Sequence, residues 1–424
     1  MIDINLLREN PELVKDSQRR RGEGLEIIDN VLKHDNKWRT LVKKRDNLKH
    51  KKNKVSLEIS EQKKKGKPAK KKIKEMQKLT KDIGSVVEKA DKRKEKRDKL
   101  LSKIPNILHE SVPQGEDETD NKEIRKVGKT PKFGFKPKNH IELGKTLNLF
   151  DVESAAKTSG ARFYYMLGKG VALEMALINY ALDFLSKKGF KRVIPPNMVR
   201  EGIMYGVGML PMSRKEIYKI EDEDLYLTLT SEHAIAGMHY DEILSADQLP
   251  ERYAGFSPCY RTEAGTHGKD TKGIFRVHQF NKVEMFTFSK PAESWSEHDF
   301  LLNCAEELVK GLSLPYRVVN VCTGDIGNTA AKKYDIEAWM PAQKKYREVI
   351  SCSNCTDYQA RRLKCRYRIK PNDKPKPIHT LNSTAFATSR TIVSLLENFQ
   401  QSDGSVKVPK KLQKYTGFKK IKPE

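Results

Sequence analysis

From Trp38 onward, side chains at the first and fourth places of a seven-residue frame read Trp38, Leu41, Arg45, Leu48, Lys52, Val55 and Ile59. A repeat of about 3.5 residues keeps one helical face against a partner, so the stretch predicts a helix with an imperfect apolar seam. Lys65-Gly66-Lys67-Pro68 interrupts it, because Gly and Pro together do not continue a helix. The frame resumes with Ile73, Met76, Thr80, Ile83, Val87, Ala90, Lys94, Arg97, Leu101 and Ile104. Two arms of about 28 to 35 residues then form an antiparallel hairpin, on the order of 40 to 50 Å long at 1.5 Å per residue. So little apolar surface makes an arm rather than a globular core.

Pro105, Pro113 and the acidic run Glu116-Asp117-Glu118-Thr119-Asp120 read as a linker. The expected division is a helical domain over 1–112 with its arm at about 37–104, a linker over 113–135, and a second domain over 136–424. In that second domain the pattern changes to short aromatic and β-branched runs: Phe163–Leu167, Tyr316–Val321 and Tyr334–Trp339. Between them, Leu173, Leu177, Tyr180, Ala181 and Phe184 share one helical face, with Gly189 placed to cap its C-terminus. Strands and helices follow no βαβ period, which predicts an α+β fold with a mainly antiparallel sheet flanked by helices.

Charge changes the picture of the arm. Residues 37–104 hold 27 Lys and Arg against 9 Asp and Glu, a net +18 of the chain's +26. Basicity so concentrated favours a polyanionic partner, nucleic acid first, over a dimerisation coiled coil. Mean hydropathy is −0.70. No apolar stretch reaches membrane-spanning length, and the start, Met1-Ile2-Asp3-Ile4, lacks a signal-peptide pattern, so a cytoplasmic protein is expected. Six cysteines in 424 residues are too few for a disulfide framework, and reduced thiols are expected.

The candidate chemistry is densest between Tyr260 and Glu284. Two strand-like runs, Tyr260–Thr266 and Phe275–Glu284, joined by a loop ending near Gly273, bring Arg261, Arg276, Lys282, Glu263, Glu284 and Phe280 into one hairpin. No Walker loop or Rossmann glycine fingerprint is present, so a nucleotide would have to be held by side chains such as these. Activating a carboxylic acid with ATP builds charge on phosphoryl oxygens, which calls for forked cations and Mg²⁺. Arg261, Arg276 and Arg390 suit the phosphates, and Glu348 and Ser351 offer hard oxygen ligands for the metal.

These segments resemble a seryl-tRNA synthetase of class II, in the form typical of archaea and the eukaryotic cytosol. Arg192-Val193-Ile194-Pro195-Pro196 resembles motif 1, Arg261-Thr262-Glu263 through Glu284 motif 2, and Leu381-Asn382-Ser383-Thr384 through Arg390 motif 3. Thr230-Ser231-Glu232 resembles the serine-specific Thr-x-Glu loop, and Ser351 through Arg362 a family signature containing Cys352 and Cys355. The resemblance implies ATP-dependent formation of seryl-adenylate with release of pyrophosphate, then transfer of serine to the 3′-terminal adenosine of serine tRNA. Charging of a selenocysteine tRNA with serine is left open. Serine would be surrounded by Thr230, Ser231, Glu232, Arg261, Glu284 and Thr384. Adenine would be held by Glu263, the backbone at Val277, and stacking on Phe280, with Thr262, Val349 and Ile350 in the same nucleotide-binding segments. Arg276 and Arg390 would face the β and γ phosphates, and Arg261 would be shared between the serine carboxylate and the α phosphate. Glu348 and Ser351 would hold Mg²⁺. The family's helical arm grips the long variable arm of the tRNA, often across a homodimer built on motif 1.

Motif 3 departs from glycine-rich bacterial relatives, reading Asn382-Ser383-Thr384-Ala385-Phe386-Ala387. The Thr384 methyl narrows the pocket in the direction that rejects threonine. Cys352-x-x-Cys355 with Cys365, and Cys322 or His379 as a fourth ligand, gives one tight pair where a structural zinc site uses two, so zinc is not expected. His278 is expected to be a packed, hydrogen-bonded ring rather than a base. Two rival classes stand beside the synthetase: an RNA-binding protein that kept the fold without catalysis, and a ligase that loads a carrier protein. The first would lack one of Arg261, Glu284, Glu348 and Arg390, and the second would lack the arm.

Overall fold

The computed structural model describes residues 1–264 and 272–423 and divides after Pro105 into two units. The first is helical. Ile4–Glu9 (α1) and Pro11–Arg20 (α2) begin at side-chain caps, with Asp3 accepting from the Asn5 amide and Asn10 from the Leu13 amide. Glu26–Lys64 (α3) and Lys70–Leu101 (α4) follow, of 39 and 32 residues. Gly66, at φ +67°, turns the chain between them in the left-handed region where a side chain would be strained. At 1.5 Å per residue α3 is about 58 Å long, longer than expected, because it starts a dozen residues before Trp38.

The seam of α3 lies where the frame placed it, with Val55 and Ile59 buried and Trp38, Leu41 and Leu48 half-buried. On α4 the frame slips. Thr80 and Lys94 are exposed, and Leu79, Val86 and Arg93 take the seam places beside Met76, Ile83 and Ala90. A heptad read from Met76 can alternate three then four residues or four then three, and the apolar Leu79 and Val86 decide it physically. Near the base of the hairpin, Asp35 is 1% exposed and takes Arg8 at 2.8 Å and Arg97 at 3.0 Å. Burial works against its charge, but the two arginines outweigh burial and hold its pKa below the usual carboxylate value. Arg97 also lies 4.7 Å from the Trp38 ring centroid, so one cluster ties α1, α3 and α4 together.

The second unit starts at Asn106, earlier than the expected boundary at 112. The Asn106 side chain donates to the Cys355 carbonyl at 2.8 Å, and Leu108 and Val112 pack with Val321 and Ile326. Nor is 113–135 simply a linker, since Lys122–Val127 (β1) is the edge strand of the main sheet. Its charged, mostly exposed side chains carry no apolar alternation, which hid it in the sequence. Gly168–Lys187 (α5) follows and ends at Gly189, φ +89°, as expected.

Next come Lys191–Val193 (β2), Ser231–Ala236 (α6), Glu251–Tyr260 (β3), Gln279–Ser289 (β4) and Ser294–Gly311 (α7). Tyr316–Asn320 (β5), Lys332–Met340 (β6), Lys345–Asn354 (β7), Tyr358–Leu363 (α8), His379–Ala387 (β8) and Thr388–Phe399 (α9) complete the frame. The eight strands lie in the order β1-β5-β6-β7-β8-β4-β3-β2, antiparallel except where β2 runs parallel to β3. Leu177 of α5, Leu308 of α7 and Leu396 of α9 join Met285, Val318 and Ile336 of the sheet in one buried core. The expected strand at Phe163–Leu167 shrinks to Tyr165–Met166.

Candidate active site

The hairpin β3–β4 is the floor of the site, with strand limits unlike those expected. β3 ends at Tyr260 and β4 begins at Gln279, so Arg261–Ala264 and Lys272–His278 lie outside the ladder, and from them Arg261, Glu263, Arg276 and Val277 line the site. Gly265 and Thr266 lie outside the described residues. The Arg261 amide still donates to the His278 carbonyl at 2.9 Å, and His278 Nδ1 lies 2.9 Å from the Arg261 carbonyl. With Phe163 5.3 Å from its ring, His278 is a packed strut. Opposite Glu284 in the ladder stands Gly255, where a Cβ would come within 2.5 Å of Ile235 and 2.7 Å of Ser231 Oγ. The missing side chain lets α6 lie against β3.

A cavity of about 190 Å³ opens above this floor. At one end it is lined by Thr230, Glu232, Lys282, Glu284, Asn382 and Thr384. Lys282 and Glu284, two apart on β4, share a face, and their side chains pair at 2.6 Å while 6% and 2% exposed. Thr384, directly opposite Glu284 on β8, donates to the same Oε2 at 3.2 Å. Glu232 is oriented by Gln359 of α8, which donates to it at 2.8 Å and is itself held by the Thr380 hydroxyl at 2.7 Å. Burial, then the charge of Glu284, pushes the Glu232 carboxyl up to about 7, against Gln359, Lys282 and Arg261. Next to it, burial drives His233 down to about 3, so its ring is neutral.

The other end is cationic. Arg261 lies 5.3 Å over Phe280, and Arg390 5.2 Å over Phe275. One Arg276 guanidinium nitrogen donates to Glu263 at 2.9 Å, and Arg390 approaches Glu348 at 3.3 Å. The Nε atoms of Arg261 and Arg276 are buried without a protein partner among the described residues. Glu263 sits at φ +51°, a strained conformation that the surrounding contacts must maintain. Arg390 stands in the first turn of α9, so helix backbone amides and guanidinium face the same space.

Glu348 and Ser351 are three residues apart and would face opposite sides of a regular strand. A bulge restores them to one side. Ile336 pairs with Ile350 but Glu337 with Glu348, so Val349 is the extra residue, and Ser351 Oγ reaches Glu348 Oε1 at 3.1 Å. Burial alone would raise the Glu348 carboxyl, but Arg390, Lys333 and Arg261 outweigh it and hold it well down. Behind it, burial raises Asp335, with Lys333 opposing. An ionised carboxylate beside a hydroxyl, both hard oxygens, is a donor set that fits Mg²⁺.

Of the sequence candidates, Thr230, Glu232, Arg261, Glu263, Arg276, Val277, Phe280, Glu284, Glu348, Val349, Ser351, Thr384 and Arg390 all line this cavity. Ser231, Thr262 and Ile350 do not. Ser231 donates to the Gly255 carbonyl at 3.2 Å, Thr262 to the Lys215 carbonyl at 2.5 Å, and Ile350 is buried in the core. Lys282, expected in the hairpin but given no role of its own, also lines it, as do Asn382, Phe275 and Ser389, and Gln359 acts from behind. The six cysteines are free and buried. Among those of the signature, burial raises the thiols of Cys352 and Cys355, and Cys352 Sγ donates to the His298 carbonyl at 3.8 Å. No group of three metal-ligating side chains occurs among the described residues.

Two families match the chain: the seryl-tRNA synthetase N-terminal domain over residues 1–108, and the class II tRNA synthetase core domain (G, H, P, S and T) over residues 218–399. The serine–tRNA ligase of Pyrococcus horikoshii is 51% identical, over 100% of this chain and 98% of its own length. That of Nitrosopumilus maritimus is 46% identical, over 99% and 100%. Among solved structures, seryl-tRNA synthetase from Pyrococcus horikoshii complexed with ATP superposes with a TM-score of 0.96 at 51% identity, covering 100% of both chains. The cytoplasmic serine–tRNA ligase of Naegleria fowleri in complex with AMP gives 0.90 at 37% identity, over 100% of this chain and 99% of its own.

Proposed function

This chain belongs to the seryl-tRNA synthetase family, and on that premise we propose how its cavity divides between serine and ATP. The observation that carries the reading is the polarity of the cavity, with Glu232 and Glu284 at one end and Arg276 and Arg390 at the other, 
and Arg261 lining the same cavity. Serine enters with its ammonium toward Glu232 and Thr230 and its hydroxyl toward Glu284 and Thr384. ATP stacks its adenine on Phe280, with Glu263 and the Val277 backbone at the ring edge, and extends its phosphates to Arg276 and Arg390. Arg261 then neutralises both the serine carboxylate and the α phosphate, bringing two anions together that would otherwise repel.

A serine carboxylate oxygen attacks the α phosphorus as the bond to the β-phosphate oxygen breaks, giving seryl-adenylate and pyrophosphate. No side-chain base is needed, because the attacking carboxylate is already ionised. Mg²⁺ at Glu348 and Ser351 would supply charge neutralisation on the phosphate oxygens. In the second step a hydroxyl of the terminal tRNA ribose attacks the seryl carbonyl and AMP leaves. The helical arm holds the long variable arm of serine tRNA. No helix among the described residues is long and apolar enough to cross a membrane. Cytoplasmic residence agrees with six buried free thiols.

Serine-dependent ATP–pyrophosphate exchange tests the reading, with threonine, alanine and cysteine as competitors. Serine alone should drive rapid exchange, and absence of exchange with serine would remove the proposal. The pH profile is a sharper form of the same assay. Glu232 must be ionised to receive an ammonium, and its carboxyl is poised at about 7. Protonation below that value removes the acceptor, so kcat/KM for serine should rise with pH through about 7 and level off above. A flat profile from pH 6 to pH 8, a window of about one unit on either side, would show that Glu232 does not play this part.

A homodimer on the motif 1 segment is the assembly we propose. Val171 and Met175 of α5, Tyr165, Ile194 and Met198 are exposed apolar side chains, with Ile194 at 78%. Next to Ile194, β2 is an edge strand paired on one side only. Sedimentation should give twice the chain mass, and Ile194→Lys with Met175→Lys should shift it toward the monomer.

A further inference from the structure

We propose that Lys282 is the positioning residue of the serine end of the cavity: its ammonium occupies one oxygen of Glu284 and leaves the other to select a substrate hydroxyl. The inference rests on the serine reading above and gives a role to a residue of the hairpin that the family resemblance left without one. Lys282 Nζ lies 2.6 Å from Glu284 Oε2, and Thr384 Oγ1 lies 3.2 Å from that same atom. Both protein donors thus converge on Oε2, and Oε1 has no protein donor among the described residues. A carboxylate 2% exposed with one oxygen saturated and the other unspent is an acceptor waiting for one donor. A β-hydroxyl supplies it, and the methyl of alanine does not.

Lys282 also helps to keep the neighbouring Glu232 carboxyl down. Glu232 and Glu284 line one cavity of about 190 Å³, and the cations beside them are Lys282 and Arg261. The other titratable groups around Glu284 carry no charge that could replace Lys282. His233 is held neutral by burial, and burial raises the thiols of Cys259 on β3 and Cys352 on β7. Arg261 is committed to the substrate carboxylate and the α phosphate. Without Lys282, Glu232 would lose one of the two cations that lower its carboxyl, so the ammonium acceptor would take up its proton at higher pH.

The test compares wild type, Lys282→Met and Lys282→Arg in pyrophosphate exchange, reading KM for serine and for ATP, the serine-to-alanine preference, and the pH profile of kcat/KM. For Lys282→Met the expected results are a serine KM raised about tenfold or more with the ATP KM within about twofold, and a reduced preference over alanine. The midpoint of the pH profile should move upward by about one pH unit or more. Lys282→Arg keeps the charge and should restore the wild-type midpoint and a serine KM within about threefold. A Lys282→Met enzyme with wild-type serine KM and pH profile overturns the proposal. So does one that loses serine and ATP affinity alike with an unmoved profile, which is what a merely structural lysine would give. If Lys282→Met does not fold, Lys282→Arg decides alone: a soluble Arg enzyme that has lost the preference over alanine overturns the proposal, and one that keeps it with the wild-type midpoint supports it. Failure of the serine reading itself would appear separately, as wild type without serine-dependent exchange.

Discussion

Arg261→Ala is expected to lower serine-dependent pyrophosphate exchange by about 10³-fold or more, the largest loss from any single side chain in the cavity. The reason is its place among the charges. Arg261 borders the acidic end, where it lowers the Glu232 carboxyl, and the cationic end, where it helps hold Glu348 ionised. Its Nε is buried without a protein partner among the described residues, and the guanidinium lies 5.3 Å over Phe280, a position with unspent donors. Alanine would leave two substrate anions facing each other with no shared counter-charge. Arg261→Lys keeps the charge but loses the planar fork, so it should fall between wild type and alanine. Because Phe280 and Glu263 hold adenine in this scheme, the ATP KM should change less than kcat. Exchange within tenfold of wild type in Arg261→Ala, far less than the loss of about 10³-fold, would show that the two anions are brought together by other groups.

The residues that carry charge in the cavity were legible because their types are few and their order along the chain is informative. Arg261, Glu284, Glu348 and Arg390 come from four separate segments, yet the sheet order places β4, β8 and β7 side by side. What the sequence hid were the devices that aim them. Nothing in Arg347-Glu348-Val349-Ile350-Ser351 announces that Val349 is bulged, and without the bulge Ser351 would face away from Glu348. Gln359 sits in the signature segment, but its task of holding Glu232 depends on a chain crossing some 127 residues away in sequence. Lys282 was visible as a residue and unreadable as a role, since only the register of β4 against β8 shows that it and Thr384 meet the same oxygen. On the arm, composition revealed the charge and the reversal at Gly66. It did not reveal which of two heptad alternations α4 would adopt, because lysine stems can flank either seam.

Excising the arm is expected to separate the two steps of the reaction. The cavity is lined by residues between Thr230 and Arg390, all in the second unit, so amino-acid activation is expected to proceed without α3 and α4. The position of the cut matters. Removing all of 37–104 would strip Arg97 and Trp38 from the buried Asp35 and leave its charge half-paired, a loss of about 3 kcal/mol or more for the helical unit. Removing residues 41–91 and closing the gap with a short Gly-Ser linker keeps Arg8, Asp35, Trp38 and Arg97 together. That segment holds 18 Lys and Arg against 7 Asp and Glu, so 18 − 7 = +11 of charge goes with it. Exchange with serine should stay within about twofold, while kcat/KM for tRNA should fall about 10³-fold at physiological salt, and what remains should lose most of its salt dependence. The salt slope is the decisive reading. If the arm grips phosphates, full-length protein loses tRNA affinity steeply as salt rises and the shortened protein does not. Charging of serine tRNA by the shortened protein at the full-length rate would remove the arm from tRNA recognition and leave its charge without a function.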